Sequence, residues 1–371
     1  MHKRLLPIIA LAGVGLLGLI ATPGCNSSSK NESSSNTVSI IGAGSTFIYP
    51  IMTRWIGDFQ SVHHNVQINY QSIGSGGGIQ QLKKGLVDFG ASDAALDDEQ
   101  LKEMPAVIQI PESAGPVCIT YNLPELKKPL QLSASTLAGI YLGKINSWQD
   151  PAVKKDNPGV ALPKEAVVVT HRSDGSGTTN IFTTYLYAVS PEWSKKVGKG
   201  ISVSWPAGLG GKGSEGVTGL VKQSPGSIGY VELSYAKENN LPVALIGNAA
   251  GKWIAPDTGG TTAAIEAFSP ELAKDVRTPI VNPPASAKDA YPICGLTFLL
   301  VPKDGPDAAK RQAVQDFIHY ILTQGQDKAD SLYYAKLPSS LADHDQQLLA
   351  GMETNGQSMR SAQAMSSPNH S

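Results

Sequence analysis

Several features that mark common classes of protein are scarce or missing in this sequence of 371 residues. The formal net charge is −1, from 30 Lys and Arg against 31 Asp and Glu, and this excludes the long-range attraction that binding to nucleic acid or to an anionic membrane surface requires. There is no GxSxG elbow, HExxH pair or CxxC pair. Of the histidines only His63 and His64 are close together, and adjacent residues point apart on a helix. We therefore expect no metal, no cofactor and no enzymatic activity.

Long apolar runs are also rare, and the first one lies at the N-terminus. The polar residues HKR precede an apolar stretch over residues 5–21, which is the order of a secretory signal. The stretch is marginal in length for a membrane span and contains Pro7. We interpret residues 1–24 as a cleaved leader. The mature protein is then exported, to a periplasm or to the outer face of the cytoplasmic membrane.

Cys25 follows the leader directly. Cleavage before it, with lipid attached to its thiol, would resemble a bacterial lipoprotein, and the polar stretch at residues 25–36 would be a flexible tether. In that case a lipid is the only contact with the membrane. The alternative is ordinary cleavage nearby, with Cys25 left as a free thiol.

The chain has only three cysteines. If Cys25 is lipidated, Cys118 and Cys294 remain as an even pair in an oxidising compartment, where a disulfide is possible. Each of the two lies in an apolar run that is typical of a buried strand. Two buried, unpaired thiols are therefore the equally weighted alternative.

About 335 residues follow the leader and tether, more than one hydrophobic core normally organises, so two lobes are expected. From residue 37 the pattern is strand, glycine turn, helix, strand: Ile51, Trp55 and Phe59 recur at helical spacing after TVSIIGAG. VQINYQSI and VDFGAS predict two further strands. Strands with intervening helices indicate a parallel sheet, and thus an α/β fold.

The middle of the chain repeats this pattern and predicts a second α/β lobe. Near the end, LTFLLVP and AVQDFIHYILTQ read as a strand and a helix that return to the first lobe. Two chain crossings of this kind act as hinges that let a cleft close. The predicted bounds are 37–119 with 291–349 for the first lobe, 120–290 for the second, and 350–371 for a disordered tail.

Glycine-rich turns follow the first two strands of the first lobe. In GAGSTF, successive N–H groups of Ser45, Thr46 and Phe47 can converge on an anion, and in IGSGGG Ser75 adds a hydroxyl and an amide. Ligands collect at this edge of a parallel sheet. The alternative is tight turns whose hydroxyls only cap the following helices.

The third strand of this lobe ends at Asp93, in FGASDAAL. Its carboxylate could simply cap a helix. In a site for an anion, however, it would accept a hydrogen bond from an oxyanion that keeps a proton, as phosphate does near neutral pH, and would repel fully ionised sulfate.

In the second lobe HRSDGSGTTN follows the buried strand AVVVT. Arg172 supplies a fixed cation with several donors, and Asp174 could hold its guanidinium in place. Ser176, Gly177 and Thr178 lie at a helix N-terminus, which favours anions. The alternative is a surface ion pair beside a capped helix.

A further glycine segment, WPAGLGGKGSEG, is not a P-loop. That motif requires glycine where Pro206 stands and Ser or Thr where Gly213 stands. Lys212 could add positive potential near the cleft, although a solvated loop lysine is the simpler interpretation.

At these residues the chain resembles the periplasmic phosphate-binding family, the substrate-binding proteins of bacterial ABC phosphate transporters. The likeness covers residues 38–337 and includes GAGSTF, VDFGASD, IYLGKI, RSDGSGT, WPAGLGGKG, GSIGYVE and KLPSS. It implies a two-lobed periplasmic-binding-protein fold, type II-like, with the ligand cleft between hinge-linked lobes. It also implies a monomer that binds inorganic phosphate and passes it to the permease subunits of an ABC importer.

By this resemblance the ligand contacts fall on Ser45, Thr46, Phe47, Ser75, Asp93, Arg172, Ser176, Gly177 and Thr178. Other functions that the sequence leaves open are a receptor for sulfate or arsenate, a secreted phosphatase, and a phosphate sensor or adhesin without a transporter. A phosphatase would need Thr46 or Ser176 as nucleophile, and no adjacent base or metal set is visible for either.

Overall fold

The computed structural model describes residues 37–104, 106–339, 341–342 and 349, and two short strands near the C-terminus. The predicted leader, Cys25 and the tether lie outside these residues, as does most of the predicted tail. Among the described residues, no helix combines the length and the apolar character needed to cross a membrane.

The strands are β1 (Val38–Gly44), β2 (Val66–Ser72), β3 (Phe89–Ser92), β4 (Val107–Tyr121), β5 (Gln131–Leu132), β6 (Val168–Arg172), β7 (Leu209–Gly211), β8 (Ser227–Glu232), β9 (Leu245–Gly247), β10 (Trp253–Ile254), β11 (Cys294–Pro302), β12 (Glu353–Thr354) and β13 (Gln357–Ser358).

The helices are α1 (Tyr49–Gln60), α2 (Ser75–Lys83), α3 (Asp98–Glu103), α4 (Ala134–Tyr141), α5 (Pro151–Asp156), α6 (Gly177–Val189), α7 (Pro191–Lys196), α8 (Gly213–Gln223), α9 (Leu233–Glu238), α10 (Thr258–Ala267), α11 (Ser269–Leu272) and α12 (Ala308–Leu322), with 3-10 helices at Gln324–Lys328 and Asp330–Leu332.

One sheet runs through the molecule in the order β2-β1-β3-β11-β4-β8-β6-β7. In its first half, β1 is parallel to both β2 and β3, as the sequence predicts, and β11 returns antiparallel between β3 and β4. In its second half, β6 is parallel to β7 and β8. This is a mixed α/β fold with two lobes, and each half of the sheet is the centre of one.

Strand β4 joins the two halves. Residues 107–111 and 113–116 pair with β11, with a bulge at Glu112, and Val117–Tyr121 pair with β8. The chain thus crosses from the first lobe to the second within one continuous strand, and crosses back just before β11. The predicted lobe bounds stay a prediction.

The first lobe is held together by an apolar core around α1 and α12. Trp55 and Phe59 of α1 are fully buried, as the helical spacing predicts. The ring of Phe59 packs edge-on against Phe317 of α12 at 5.2 Å between centroids. Burial of such aromatic rings contributes about 1.5–3 kcal/mol each, so this packing holds α1, which follows the turn after β1, against α12.

Candidate functional site

The three predicted turns of the first lobe meet at the carboxyl ends of β1, β2 and β3, as expected for parallel strands. Ser45, Thr46, Ser75 and Asp93 are all buried there. The ring of Phe47 is fully buried in the core, 6.0 Å from the ring of Tyr334 between centroids. Only the backbone of Phe47 therefore faces the site.

Asp93 is surrounded by donors of its own lobe. The hydroxyl of Ser45 donates to one carboxylate oxygen, and that of Ser75 lies 3.5 Å from the other. Burial raises the pKa of Asp93 to about 6, although hydrogen bonds from Ser45 and Ser75 and the charge of Arg172 oppose the shift. The carboxyl is therefore still mostly ionised at neutral pH and can act as an acceptor.

The backbone of the first turn is fixed through its carbonyl groups. A tyrosine hydroxyl donates to each of three successive carbonyl oxygens: Tyr70 to Ser45 at 2.9 Å, Tyr235 to Thr46 at 2.7 Å and Tyr334 to Phe47 at 2.5 Å. These bonds come from three distant parts of the chain. In the closed cleft they fix the orientation of the peptide groups of this turn.

The N–H groups of this turn differ from the sequence prediction in one respect. The N–H of Ser45 donates to the carbonyl of Ala91 at 2.9 Å, so it extends the β1–β3 ladder and does not face the site. The N–H groups of Thr46 and Phe47 donate to no protein group within the described part of the chain. Ser45 therefore contributes its hydroxyl alone.

In the second lobe, Arg172 ends β6 and its side chain is 2% exposed. Its Nε and Nη2 donate to the two oxygens of Asp174 at 2.8 and 2.6 Å. Although burial acts to raise it, the pKa of Asp174 is held below its usual value by this guanidinium and by the N–H of Gly213. Asp174 thus fixes Arg172, and Nη1 remains directed at Ser214, 3.5 Å away.

Ser176, Gly177 and Thr178 open α6 at the same place. The hydroxyl of Ser176 caps the helix by accepting from the N–H of Thr179 at 3.1 Å, as the capping alternative predicts, and its own proton is left to donate. The hydroxyl oxygen of Thr178 is buried without a partner among the described residues. Its one proton and two lone pairs are therefore unused.

The two lobes touch at the site. The N–H of Gly177 donates to the hydroxyl of Ser75 at 3.1 Å, and the N–H of Gly76 donates to the carbonyl of Gly175 at 2.9 Å. A Cβ on Gly177 would lie 2.6 Å from the Cβ of Asp93. The cleft is closed, and only glycine allows this approach.

Ser214, at the start of α8, is a site residue that the sequence analysis missed. Its hydroxyl lies 2.9 Å from that of Thr46, and its N–H donates to the same Thr46 oxygen at 3.2 Å. Its other neighbour is Arg172, whose Nη1 lies 3.5 Å from the Ser214 hydroxyl. It links the cation of the second lobe to the first turn. The available signal was a serine at the loop-to-helix junction in GKGSEG.

Cys118 and Cys294 are both buried and free. The thiol of Cys118 donates to the carbonyl of Val231 at 3.3 Å, and that of Cys294 to the carbonyl of Tyr291 at 3.3 Å. They belong to different hydrophobic clusters. The structure therefore contradicts the disulfide and matches the alternative of two unpaired thiols. Burial places the pKa of each thiol above its usual value.

In the described ranges no three His, Cys, Asp or Glu side chains are placed to hold a metal ion. The site instead combines one guanidinium, several hydroxyl and N–H donors, and a single ionised acceptor, Asp93. Such a set can bind a compact oxyanion, and it favours one that still carries a proton.

Comparison with known proteins gives consistent results. Residues 31–324 match the PBP superfamily domain. The phosphate-binding protein PstS of Xylella fastidiosa is 42% identical over 353 residues, which cover 90% of this chain and 96% of the relative. The protein of the same name from Methanocaldococcus jannaschii is 40% identical over 370 residues, covering 91% and 90% of the two chains.

Among solved structures, a high-affinity periplasmic phosphate-binding protein bound with phosphate at pH 8.5 superposes with a TM-score of 0.66 at 20% identity, covering 83% of this chain and 92% of its own. At that identity the likeness concerns the fold alone, which is thus the two-lobed fold of periplasmic binding proteins. Together with the sequence relatives, it shows that this chain belongs to the PBP superfamily and, within it, to the family of the phosphate-binding proteins PstS.

Proposed function

We propose that this protein binds inorganic phosphate outside the cytoplasmic membrane and delivers it to an ABC-type phosphate importer. Its relatives at 42% and 40% identity are named phosphate-binding proteins. The donors and the acceptor of the closed cleft match the chemistry of a tetrahedral oxyanion that keeps a proton. The protein acts as a binding protein, without catalysis.

The observation that carries the proposal is the position of Asp93. It is a buried carboxylate, 4% exposed, and the other proposed contacts are a guanidinium, N–H groups and hydroxyls, each of which can donate to an anion. A carboxylate is unfavourable for binding fully ionised sulfate, because no proton lies between the two charges. It favours phosphate, whose remaining proton it can accept in a charge-assisted hydrogen bond.

The proposed ligand contacts divide between the lobes. From the first lobe come the N–H groups of Thr46 and Phe47, the hydroxyls of Ser45, Thr46 and Ser75, and the acceptor Asp93. From the second come Arg172, held by Asp174, and the start of α6 with Ser176, Gly177 and Thr178. Ser75 and Gly177 bond to each other here, and both would turn to the ligand.

The location and partners follow from the sequence. We propose that the leader is removed, that a lipid on Cys25 holds the monomer at the membrane surface, and that the permease subunits of the importer receive the phosphate. Arsenate has the same shape and also keeps a proton, so it fits the same site. No part of the described structure favours a phosphatase: the Thr46 hydroxyl is bonded to Ser214, and that of Ser176 caps α6.

The test is calorimetric titration of the ligand-stripped mature protein with phosphate. We expect saturable binding in the wild type, and at least about a 100-fold loss for Arg172→Ala. Charge-assisted hydrogen bonds contribute about 1.5–3 kcal/mol each, and the negative charge of Asp174 would stand beside the anion without the guanidinium that balances it. The matched control is Arg54→Ala, because Arg54 is also paired with an aspartate, Asp58 at 2.8 Å, but is exposed. The phosphate affinity of this variant should be unchanged. A wild-type protein that binds no phosphate would refute the proposal.

A further inference from the structure

Next to the proposed site lies a second buried carboxyl that has no place in the function described so far. Glu112 is fully buried in β4, at a bulge where the register with β11 shifts. One of its carboxyl oxygens is 3.1 Å from the hydroxyl of Thr297. The other has no partner among the described residues.

The order of the strands places Thr297 between two carboxyls. Strand β11 lies between β3 and β4, and Phe298 pairs with Ser92 at the end of β3. The hydroxyl of Thr297, the residue before Phe298, also reaches Asp93 and, against the effect of burial, lowers the pKa of its carboxyl. On its other side Thr297 pairs with Ser113, the residue beside Glu112.

The groups around Glu112 give it no counter-charge. Asp93 faces it from the end of β3, the phenol of Tyr70 from β2 and the hydroxyl of Thr297 from β11, while Gln326 donates only to its backbone carbonyl at 3.0 Å. Two neighbouring buried carboxyls do not both ionise readily. One proton therefore stays on the pair formed by Asp93 and Glu112. It lies on the carboxyl whose other partners stabilise the ionised form less.

Asp93 is much the better stabilised of the two as an anion. It has the hydroxyls of Ser45 and Ser75 and the charge of Arg172, whereas Glu112 has Thr297 alone. Burial, together with the charge of Asp93, raises the pKa of Glu112 to about 8. Glu112 therefore holds the proton at neutral pH.

We propose that Glu112 is a positioning residue for specificity: as a neutral acid it donates to the oxygen of Thr297, which turns the proton of Thr297 toward Asp93 and keeps Asp93 an ionised acceptor. A hydroxyl has one proton to give. An ionised Glu112 would take that proton itself and would add a second negative charge beside Asp93. For its ligand this inference rests on the proposed binding of phosphate.

The proposed hydrogen bonds from Glu112 to Thr297 and from Thr297 to Asp93, called the relay below, predict how Asp93 titrates. The titration is measured in ligand-stripped protein by NMR of carboxyl groups labelled with carbon-13. Glu112→Gln should leave the Asp93 titration unchanged, because its amide N–H donates to Thr297 as the neutral acid does. Thr297→Val should raise the apparent pKa of Asp93 by about one unit, as expected for the loss of one donor to a charged group. Thr297→Ser should restore the wild-type value.

The same variants are then titrated with phosphate across the pH range. The pH below which phosphate affinity decreases should move to a higher value in Thr297→Val only. A lower Asp93 pKa in Glu112→Gln would overturn the proposal, since it would mean that Glu112 is ionised in the wild type; so would an unshifted Thr297→Val. The NMR titration needs no ligand, so a failure of phosphate binding would contradict the proposed function without deciding the relay.

Discussion

At the scale of single residues, Thr178 has a buried hydroxyl with no partner in the described part of the chain, at the N-terminus of α6. Thr178→Val keeps the shape and removes the hydroxyl. We expect phosphate affinity to fall about tenfold or more, because one hydrogen bond to a charged group contributes about 1.5–3 kcal/mol. The stability of the unliganded protein should not fall. Calorimetry and thermal unfolding measure the two effects.

Thr218→Val is the matched control. Thr218 is also a threonine in a helix, at the middle of α8, and its hydroxyl is likewise buried without a partner among the described residues. It contacts none of the proposed ligand groups, so the substitution should leave affinity unchanged. Equal losses in the two variants would contradict the role given to Thr178.

The protonation of Asp93 sets an acid limit on binding. Its pKa is raised to about 6, so the acceptor form is complete above that pH and is lost as the pH falls through it. Phosphate affinity should therefore decrease as the pH drops below about 6, with a slope that approaches tenfold per pH unit. If Asp93 had the pKa of an ordinary carboxyl, the affinity would stay constant until the pH reached about 4. Calorimetry over this range checks the midpoint, and Asp93→Asn should remove that titration. If the phosphate affinity of the wild type stayed constant down to about pH 4, the assignment of Asp93 as the acceptor with a raised pKa would be contradicted.

The sequence predicted some site residues and missed others for identifiable reasons. Ser45, Thr46, Ser75 and Asp93 could be proposed because each follows a strand whose apolar pattern is local. The structure places all four in buried positions at the ends of those strands, and their contact with a ligand stays a prediction. Ser214 was missed because its importance comes from contacts with residues far away in the chain, which no spacing encodes. The amide of Ser45 was misassigned for the same reason, since only the tertiary ladder shows that Ala91 uses it.

At the scale of secondary-structure elements, the start of α6 packs directly against the turn after β3. A Cβ on Gly177 would come within 2.6 Å of the Ser75 hydroxyl oxygen and of the Asp93 Cβ. Gly177→Ala should therefore hinder closure and lower phosphate affinity about tenfold or more, in line with the ~1–3 kcal/mol cost of overpacking. Each lobe alone accepts the alanine, so thermal stability without phosphate should change little.

Gly219→Ala serves as its control. Gly219 also lies in a helix, α8, and a Cβ there meets nothing within 4 Å. Alanine should stabilise this helix by up to about 1 kcal/mol and leave phosphate affinity unchanged. Unchanged binding by Gly177→Ala would mean that the closed contact does not form with the ligand.

The element that sequence reasoning recovered least well is β4. Only the apolar run around Cys118 was predicted as a strand, whereas β4 begins at Val107. Pro111 and Pro116 interrupt the pattern, and proline normally argues against a central strand. Here Pro111 lies beside the bulge at Glu112, where the ladder is already irregular. The same bulge places Glu112 next to Thr297, so that contact was invisible in the sequence.

At the scale of the whole molecule, the proposed site exists only when the lobes are closed. The donors after β6 and at α6 come from one half of the sheet, and the acceptor and the first turn from the other. The two-lobed fold was predictable from the repeated α/β pattern and the returning last strand. The way the lobes meet was not, because it depends on contacts such as that between Gly177 and Ser75.

The net charge of −1 gives the molecule little long-range attraction for an anion. Selection must therefore occur inside the cleft, and there Asp93 is the group that distinguishes a protonated oxyanion from a fully ionised one. This division between many donors and one acceptor is the central claim about the protein.

Its most direct test is calorimetric titration of the wild type and of Asp93→Asn with phosphate and with sulfate, above pH 6 where the wild-type carboxyl is ionised. We predict that the wild type binds phosphate and not sulfate. Asp93→Asn should bind sulfate, and its preference for phosphate should fall about 100-fold or more, since juxtaposed like charges cost several kcal/mol. An unchanged preference in Asp93→Asn would contradict the account.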